Sequence, residues 1–403
     1  MKLLITADIH MGRIPSVGGL LNLSGTSAWK KIVDSAIEHE VDALILVGDV
    51  VDDNELWFSV YGHILDGLNR LEEAGIRVFG VAGNHDSSVF ARLSVDFPFL
   101  TILGQGGNWE RVEFNGIELA GWSFPKETVA QNPFDQFTKT DSSKLTLGLL
   151  HTDLGGSQSK YAPTKIEDFQ TSGIDLWMLG HIHKPGKIDS AEVYYCGSPF
   201  GLDRNETGVH GCWLVTSDRL TRWDRIEQIE LAPYRFESFT VELKNEESRE
   251  EVRQTITREL QKLTRTADRT LFVRLKLTGV VNRSLLDENL LEGDERYIEL
   301  FAIQNGTIYL DRIYDQETTP PLDLEEIAQG SGPAALLARR ILDPDSLNRL
   351  AKTYSELEKA SYRSGAYQQL VPETECEEEA LKIAKEQALL VLQSLMNQVE
   401  SER

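Results

Sequence analysis

The sequence predicts an α/β fold, and three observations carry that prediction. Short apolar runs of β-type residues recur through the first 200 residues, several are separated by stretches with helical spacing, and most give way at their ends to glycine and a polar residue. Ala43–Val47 and Leu176–Leu179 are unbroken apolar segments, the composition of strands buried on both faces. A chain of 403 residues exceeds one ordinary core, so two or three domains are expected.

Lys2–Thr6 opens the chain as a strand that ends in Ala7-Asp8-Ile9-His10-Met11-Gly12. Ser27 has the chemistry of an N-cap for a helix to Glu38, in which Ile32, Val33, Ala36 and Ile37 recur at helical spacing. The strand Ala43–Val47 ends in Gly48-Asp49-Val50-Val51-Asp52. Asn54 can cap the next helix, which carries Phe58, Tyr61, Leu65 and Leu68 on one stripe and Gly75 at its C′ position. Ile76–Ala82 is the third strand and ends in Gly83-Asn84-His85-Asp86. Val112–Ala120 reads as a hairpin turning at Asn115-Gly116, and Leu145–Leu150 as a strand running into His151. Leu176–Leu179 is followed by Gly180-His181-Ile182-His183, and the strands Val193–Cys196 and Cys212–Val215 enclose the loop Gly197-Ser198-Pro199-Phe200-Gly201.

The first domain is placed at 1–230, and Leu231-Ala232-Pro233 reads as a linker. A small α+β domain at 234–318 follows, with strands at Phe239–Leu243 and Leu271–Thr278, a helix at Ser248–Leu263, and a hairpin turning at Asn305-Gly306. Residues 322–403 read as helix. There Leu381, Ala384, Ala388, Val391 and Leu395 form a narrow seam suited to pairing with another helix, of this chain or of a partner protein.

Composition sets limits on partners. At 41% hydrophobic and 26% charged residues the chain has an ordinary globular make-up, with no apolar run of membrane-spanning length and no signal-peptide pattern, so a cytoplasmic protein is expected. Three scattered cysteines fit reduced, packed thiols better than a disulfide frame. A net charge of −23 argues against gripping nucleic acid by a broad basic face, yet leaves it open as a substrate wherever cations supply the positive charge.

The strand ends deliver Asp8, His10, Asp49, Asn84, His151, His181 and His183, a set of oxygen and imidazole donors with no thiolate, which suits Mn²⁺, Fe²⁺, Zn²⁺ or Mg²⁺. One division gives a first ion Asp8, His10 and His183 and a second Asn84, His151 and His181, with Asp49 bridging. Two such ions can hold a bridging hydroxide that attacks phosphorus, which makes phosphate-ester hydrolysis the expected reaction. His85 is expected to protonate the leaving oxygen, with Asp52 orienting that imidazole and Asp86 as a second candidate for the same task. Glycines 48, 83 and 180 stand where the backbone must turn and leave room for substrate. Arg13, Ser198 and Arg204 are candidate substrate contacts, while His39, His63 and His210 read as structural or surface residues.

Asp8-x-His10, Gly48-Asp49-x-x-Asp52, Gly83-Asn84-His85-Asp86, His151 and Gly180-His181-x-His183, in that order, resemble the calcineurin-like metallophosphoesterase superfamily over roughly the first 200 residues. The opening Asp8–Arg13, the Gly197-Ser198-Pro199 loop, the small domain and the helical tail resemble the SbcD nucleases of DNA double-strand-break repair. That resemblance implies a four-layer αββα sandwich with an α+β cap and a manganese-dependent DNA exonuclease and endonuclease. It also implies a homodimer bound through its C-terminal helices to a coiled-coil ATPase of the SbcC type. A phosphodiesterase for small phosphodiesters or nucleotides, or a weakly active regulatory subunit of such an ATPase, are the alternative expectations.

Overall fold

The unbroken apolar runs become inner strands of two six-stranded sheets. The computed structural model describes residues 1–52, 57–139, 143–155, 159–188, 191–244, 246–286, 297–313, 317–319, 324–362, 380–392 and 395. The chain separates into two compact units, Met1–Phe236 and Glu237–Arg403.

In the first unit, one sheet begins with β1 (Lys2–Thr6), β2 (Ala43–Val47), β3 (Arg77–Val81) and β4 (Leu100–Ile102). A second sheet takes β5 (Trp109–Phe114), β6 (Ile117–Trp122), β7 (Leu145–His151), β8 (Leu176–Gly180), β9 (Gly186–Lys187) and β10 (Val193–Tyr195). The chain then returns to the first sheet as β11 (Gly211–Thr216) and β12 (Arg225–Glu230). The spatial orders are β12-β11-β1-β2-β3-β4 and β5-β6-β7-β8-β10-β9. The strands β1 to β4 are parallel to one another, as are β6, β7, β8 and β10.

Strand alternation sends Leu3, Ile5, Ile45, Val47, Phe79 and Val81 of the first sheet into one buried cluster with Leu119, Leu147, Leu149 and Met178 of the second. At roughly 1.5–3 kcal/mol for each fully buried aliphatic side chain, this layer fixes the two sheets face to face and so fixes where their strand ends stand. Leu4, Leu44, Leu46 and Val78, pointing the other way, are buried as well. The helices Gly25–Glu38 and Trp57–Glu73 are linked by the Trp29 indole N–H, which donates to the His63 carbonyl at 3.0 Å. An aromatic layer that includes Trp122, Phe169 and Trp177 accounts for the apolar residues of the second sheet's other face.

Several local expectations hold and some shift. Asn115 and Gly116 take φ of 47° and 91° at the hairpin turn, and Gly75 takes φ 73° after its helix. The N-cap of the first long helix is Ser24, not Ser27; Ser27 sits three residues on, and its hydroxyl accepts from the Ser24 N–H at 3.2 Å, as in a capping box. Asn54 lies outside the described residues, and the three-residue strand β4 had no distinct pattern.

The second unit is built around β13 (Tyr234–Lys244), which starts just before it, β14 (Thr270–Val280), β15 (Ile298–Ile303), β16 (Gly306–Ile313) and β17 (Glu317–Thr319). Their order is β13-β14-β16-β15, with β17 pairing β14. The helix Arg249–Gln261 buries Val252, Ile256 and Leu260 in a core with Leu243, Val273, Leu275 and Leu310, and Ser248 caps it by accepting from Glu251 N–H at 3.2 Å. Helices Leu324–Gln329, Pro333–Leu342 and Pro344–Tyr362 follow, then another over 380–392. In that last helix Ala380, Ala384, Ala388, Leu389 and Leu392 are buried in clusters with Ala338, Ile341 and Ala351, whereas Leu381 and Val391 are 37% and 54% exposed. The expected seam is therefore split: its alanines pack on the same chain, Leu381 and Val391 face solvent, and Leu395 is half-buried. No helix among the described residues is long and apolar enough to cross a membrane.

Candidate metal centre

Parallel strands deliver their C-terminal ends to a common edge of each sheet, where an α/β fold gathers its ligands. There the loops after β1 and β2 are zipped together. Asp8, His10 and Met11 donate their backbone N–H groups to the carbonyls of Gly48, Asp49 and Val50 at 3.1, 3.0 and 2.9 Å, and Asp52 N–H returns to the Met11 carbonyl at 3.1 Å. The backbone is left-handed at Asp8, His10, Asp49 and His181, with φ of 51°, 47°, 52° and 96°. Local strain of this kind collects where surrounding structure over-determines a site.

The glycines before the ligands make room, but for ligand side chains rather than for substrate. A Cβ on Gly83 would stand 2.1 Å from Asp49 Oδ1, one on Gly48 would stand 2.5 Å from His151 Nδ1, and one on Gly180 would meet the Val47 carbonyl at 2.1 Å. Only Gly48 among the three also needs positive φ, at 84°.

The expected ligands converge. Asp8 and Asp49 are 0% and 2% exposed, and Asp8 is held by His181 N–H, which lies 3.0 and 3.2 Å from its two oxygens. His10 Nε2 is 3.0 Å from His183 Nε2; His151 Nε2 is 3.2 Å from both Asp49 Oδ2 and Asn84 Oδ1. The His151 Nδ1 faces the Val47 carbonyl at 3.0 Å, which fixes that ring. His181 meets His151 edge to face, with ring centroids 5.4 Å apart.

Two donors that approach a divalent ion at roughly 2.0–2.4 Å stand about 3 Å apart when they subtend a right angle at it. The nitrogen and oxygen spacings of 3.0 and 3.2 Å meet that requirement. Asp8, His10 and His183 each offer an atom within 4.8 Å of the others, and so do Asp8, Asp49 and His151; His10, Asp52 and His85 form a third such group. The residues present therefore fit a pair of hard or borderline cations, with Asp8 close to both groups.

Charge balance at this edge is set by burial against close partners. Burial raises the Asp8 carboxyl above its ordinary pKa. Burial opposes the charged form of Asp49 too, but the adjacent His151 imidazole outweighs it and holds that carboxyl well below the carboxylate range. His151 is raised to about 9 because Asp49 outweighs the cost of burial. Burial and the charge of His151 push His181 down to about 3, leaving a neutral imidazole, the form that can ligate a cation.

Other expectations need correction. His85 is exposed, and its Nδ1 donates to the backbone carbonyl of Asp52 at 2.6 Å. The Asp52 carboxylate instead lies 2.8 Å from His10 Nδ1, since the zipped loops set it against that ring. Asp86 has no freedom to serve His85: fully buried, it accepts Val50 N–H at 2.7 Å and Gly83 N–H at 2.8 Å, bracing the two ligand loops. Ser198 is 0% exposed and bonds within the protein, so it cannot meet substrate. Burial opposes the charge on Asp52, but the bond from His10 and the charges of His10 and of the exposed Arg13 outweigh it and lower its pKa; Arg204 is half-buried in the loop after Gly201.

Sequence reading missed Glu206, which bonds His183 Nδ1 at 2.8 Å, and Tyr161, whose ring lies 5.1 Å from that of His181. A signal for Glu206 existed in general chemistry, because a ligating imidazole needs an acceptor for its second nitrogen. Tyr161 carried none.

Residues 1–185 match the family described as calcineurin-like phosphoesterase. The chain is 29% identical over 196 residues to the uncharacterized metallophosphoesterase YhaO of Bacillus subtilis, covering 46% of this chain and 48% of that protein. It is 27% identical over 235 residues to the DNA double-strand break repair protein Mre11 of Nanoarchaeum equitans, covering 52% of this chain and 64% of that one. To the protein of the same name in Haloferax volcanii it is 24% identical over 267 residues, covering 63% and 58%. The matched part thus spans about half to two thirds of the length of these relatives. A dimetal phosphatase from Danio rerio aligns in structure with a TM-score of 0.37 and 11% identity, over 59% of this chain and 99% of that one.

Proposed function

We propose that this chain, whose residues 1–185 match the calcineurin-like phosphoesterase family, is a metal-dependent phosphoesterase and, more narrowly, a two-metal phosphodiesterase that cuts DNA as exonuclease and endonuclease, the nuclease subunit of an SbcCD-like repair complex. The observation that carries the reading is the convergence of Asp8, His10, Asp49, Asn84, His151, His181 and His183 at one sheet edge. Similarity to two proteins named for DNA double-strand break repair supports DNA as the substrate class.

In this reading Asp8, His10 and His183 hold one divalent ion, Asn84, His151 and His181 hold the other, and Asp49 is shared. When bound, Mn²⁺ at both places would supply Lewis acidity toward the phosphoryl oxygens and would acidify the attacking water. His85 is left free of the ligand set. Its Nδ1–H is held by the Asp52 carbonyl, so in the imidazolium form the second proton, on Nε2, is the one given to the departing sugar oxygen, leaving a neutral ring with its proton on Nδ1. The Asp52 carboxylate positions His10. Arg13 supplies a positive charge near the same mouth.

The proposal extends to assembly. A homodimer, an SbcC-type coiled-coil ATPase on the C-terminal helices, and a cytoplasmic setting belong to it, as does a division of the chain into a nuclease domain (1–230), a capping domain (234–318) and a helical region (322–403). The test is incubation with Mn²⁺ and a labelled DNA hairpin beside bis-p-nitrophenyl phosphate. Cleavage of the hairpin is expected. Cleavage of the small ester alone would move the assignment to small phosphodiesters or nucleotides, which the net charge of −23 favours. Bound metal with neither substrate cut would leave a regulatory subunit.

A further inference from the structure

Glu206, which the two-metal reading leaves unused, closes on His183 from the side away from the other ligands. His183 turns Nε2 toward His10 Nε2 at 3.0 Å, so Nδ1 is the nitrogen that must be satisfied elsewhere, and Glu206 Oε1 accepts from it at 2.8 Å. The proton then belongs on Nδ1 and the lone pair on Nε2. The other carboxylate oxygen of Glu206 accepts from the Ser198 hydroxyl at 3.0 Å and from Leu202 N–H at 2.7 Å.

The loop that carries Glu206 is itself tied down. The Gly201 carbonyl accepts from the Tyr234 hydroxyl at 2.6 Å, and Gly208 N–H donates to the Phe236 carbonyl at 3.0 Å. The His210 ring sits between the carbonyls of Ser198 and Glu206, at 2.9 and 3.1 Å. A carboxylate braced in this way holds its imidazole partner in one orientation.

We propose that Glu206 is a positioning residue that fixes the tautomer and direction of His183 and thereby sets the affinity of one of the two divalent ions. This inference rests on His183 being a ligand, as in the reading above. Losing such an outer partner typically weakens metal affinity about 10–100-fold. The effect should fall on one ion only, because His151, on the other, is held by the Val47 carbonyl at 3.0 Å instead.

The experiment is Mn²⁺ binding to the full chain by calorimetry and equilibrium dialysis, for wild type, Glu206→Ala, Glu206→Gln and His183→Ala, each with its melting profile. Glu206→Ala is expected to weaken one ion about 10–100-fold and spare the other, and Glu206→Gln, which keeps an oxygen for His183 Nδ1, should recover part of the loss. A residue that merely braces the loop would lower the melting temperature and leave both affinities alone, and that result would overturn the proposal. If Glu206→Ala does not fold, Glu206→Gln decides: wild-type affinity for both ions refutes. Retention of both ions by His183→Ala would instead sink the two-metal reading itself, and Glu206 with it.

Discussion

Replacing His85 with alanine isolates the proton-transfer step from metal binding. The ring is held at Nδ1 by the Asp52 carbonyl at 2.6 Å, so its Nε2 is the atom free to exchange a proton. Asp49 receives only the backbone N–H of His85, at 3.0 Å, and that bond survives the substitution. Both ions should therefore stay. A positioned general acid is worth about 10²–10⁴ in rate, or about 2.7–5.5 kcal/mol. Because the ring is exposed and water competes for the same task, the lower part of that range is expected, about 10²–10³ on DNA turnover. The p-nitrophenolate group leaves without a proton at neutral pH, so turnover of bis-p-nitrophenyl phosphate should fall less than about tenfold. Turnover numbers for both esters, with Mn²⁺ stoichiometry measured on the same samples, decide the matter. Equal losses on the two substrates, or loss of an ion, would refute the role given to His85.

Three further outcomes follow from the same edge of the sheets. Gly83→Ala should lower stability by about 1–3 kcal/mol and weaken Mn²⁺ binding, since the added Cβ falls 2.1 Å from Asp49 Oδ1 and 2.6 Å from the Asp49 nitrogen; chemical denaturation and dialysis read both. Asp86→Ala strands the buried N–H groups of Val50 and Gly83 at about 1–3 kcal/mol each, and should cost activity although Asp86 touches no ligand atom in the proposed scheme; a wild-type melting curve would contradict this. Chelation should abolish turnover and lower the first unit's melting temperature by roughly 10–20 °C, the effect of losing two ions each held at about a hundred times its dissociation constant, with recovery on adding Mn²⁺.

Much of this arrangement was legible in the sequence because it lies along strands. An apolar run ending in glycine and a donor is a local pattern; parallel pairing carries three such ends together in one sheet and two in the other, and the apolar layer between the sheets brings the two sets face to face. What the sequence could not carry were contacts made by loops. Asp52 is three residues from Asp49 and thirty-three from His85, and only the zipping of Met11 to Val50 turns its carboxylate toward His10. Ser198, a candidate substrate contact by residue type, is buried by the return of the loop through Glu206 and His210, which no local pattern in the sequence marks. In the C-terminal helix, an apolar spacing read alone does not say which of its residues pack internally: Ala388 meets Ala338 and Ile341 of the same chain, while Leu381 and Val391 stay exposed.

The cost of building this edge bears on whether the protein turns over substrate. Four non-glycine residues in left-handed conformation cost on the order of 1–3 kcal/mol each, comparable together with the roughly 5–15 kcal/mol by which a domain is stable. To this is added the burial of two carboxylates at 0% and 2% exposure. A cation at each group of donors would offset the buried charge, so a protein that only stored metal would explain Asp8, His10, Asp49 and His151. It would not explain His85, which stands outside the proposed ligand set, exposed, with one ring nitrogen fixed by a 2.6 Å bond and, among the described residues, no hydrogen-bond partner on the other. In the proposed scheme a ring oriented in this way beside the donor groups serves proton transfer, so turnover, rather than metal content, is the measurement on which the reading stands.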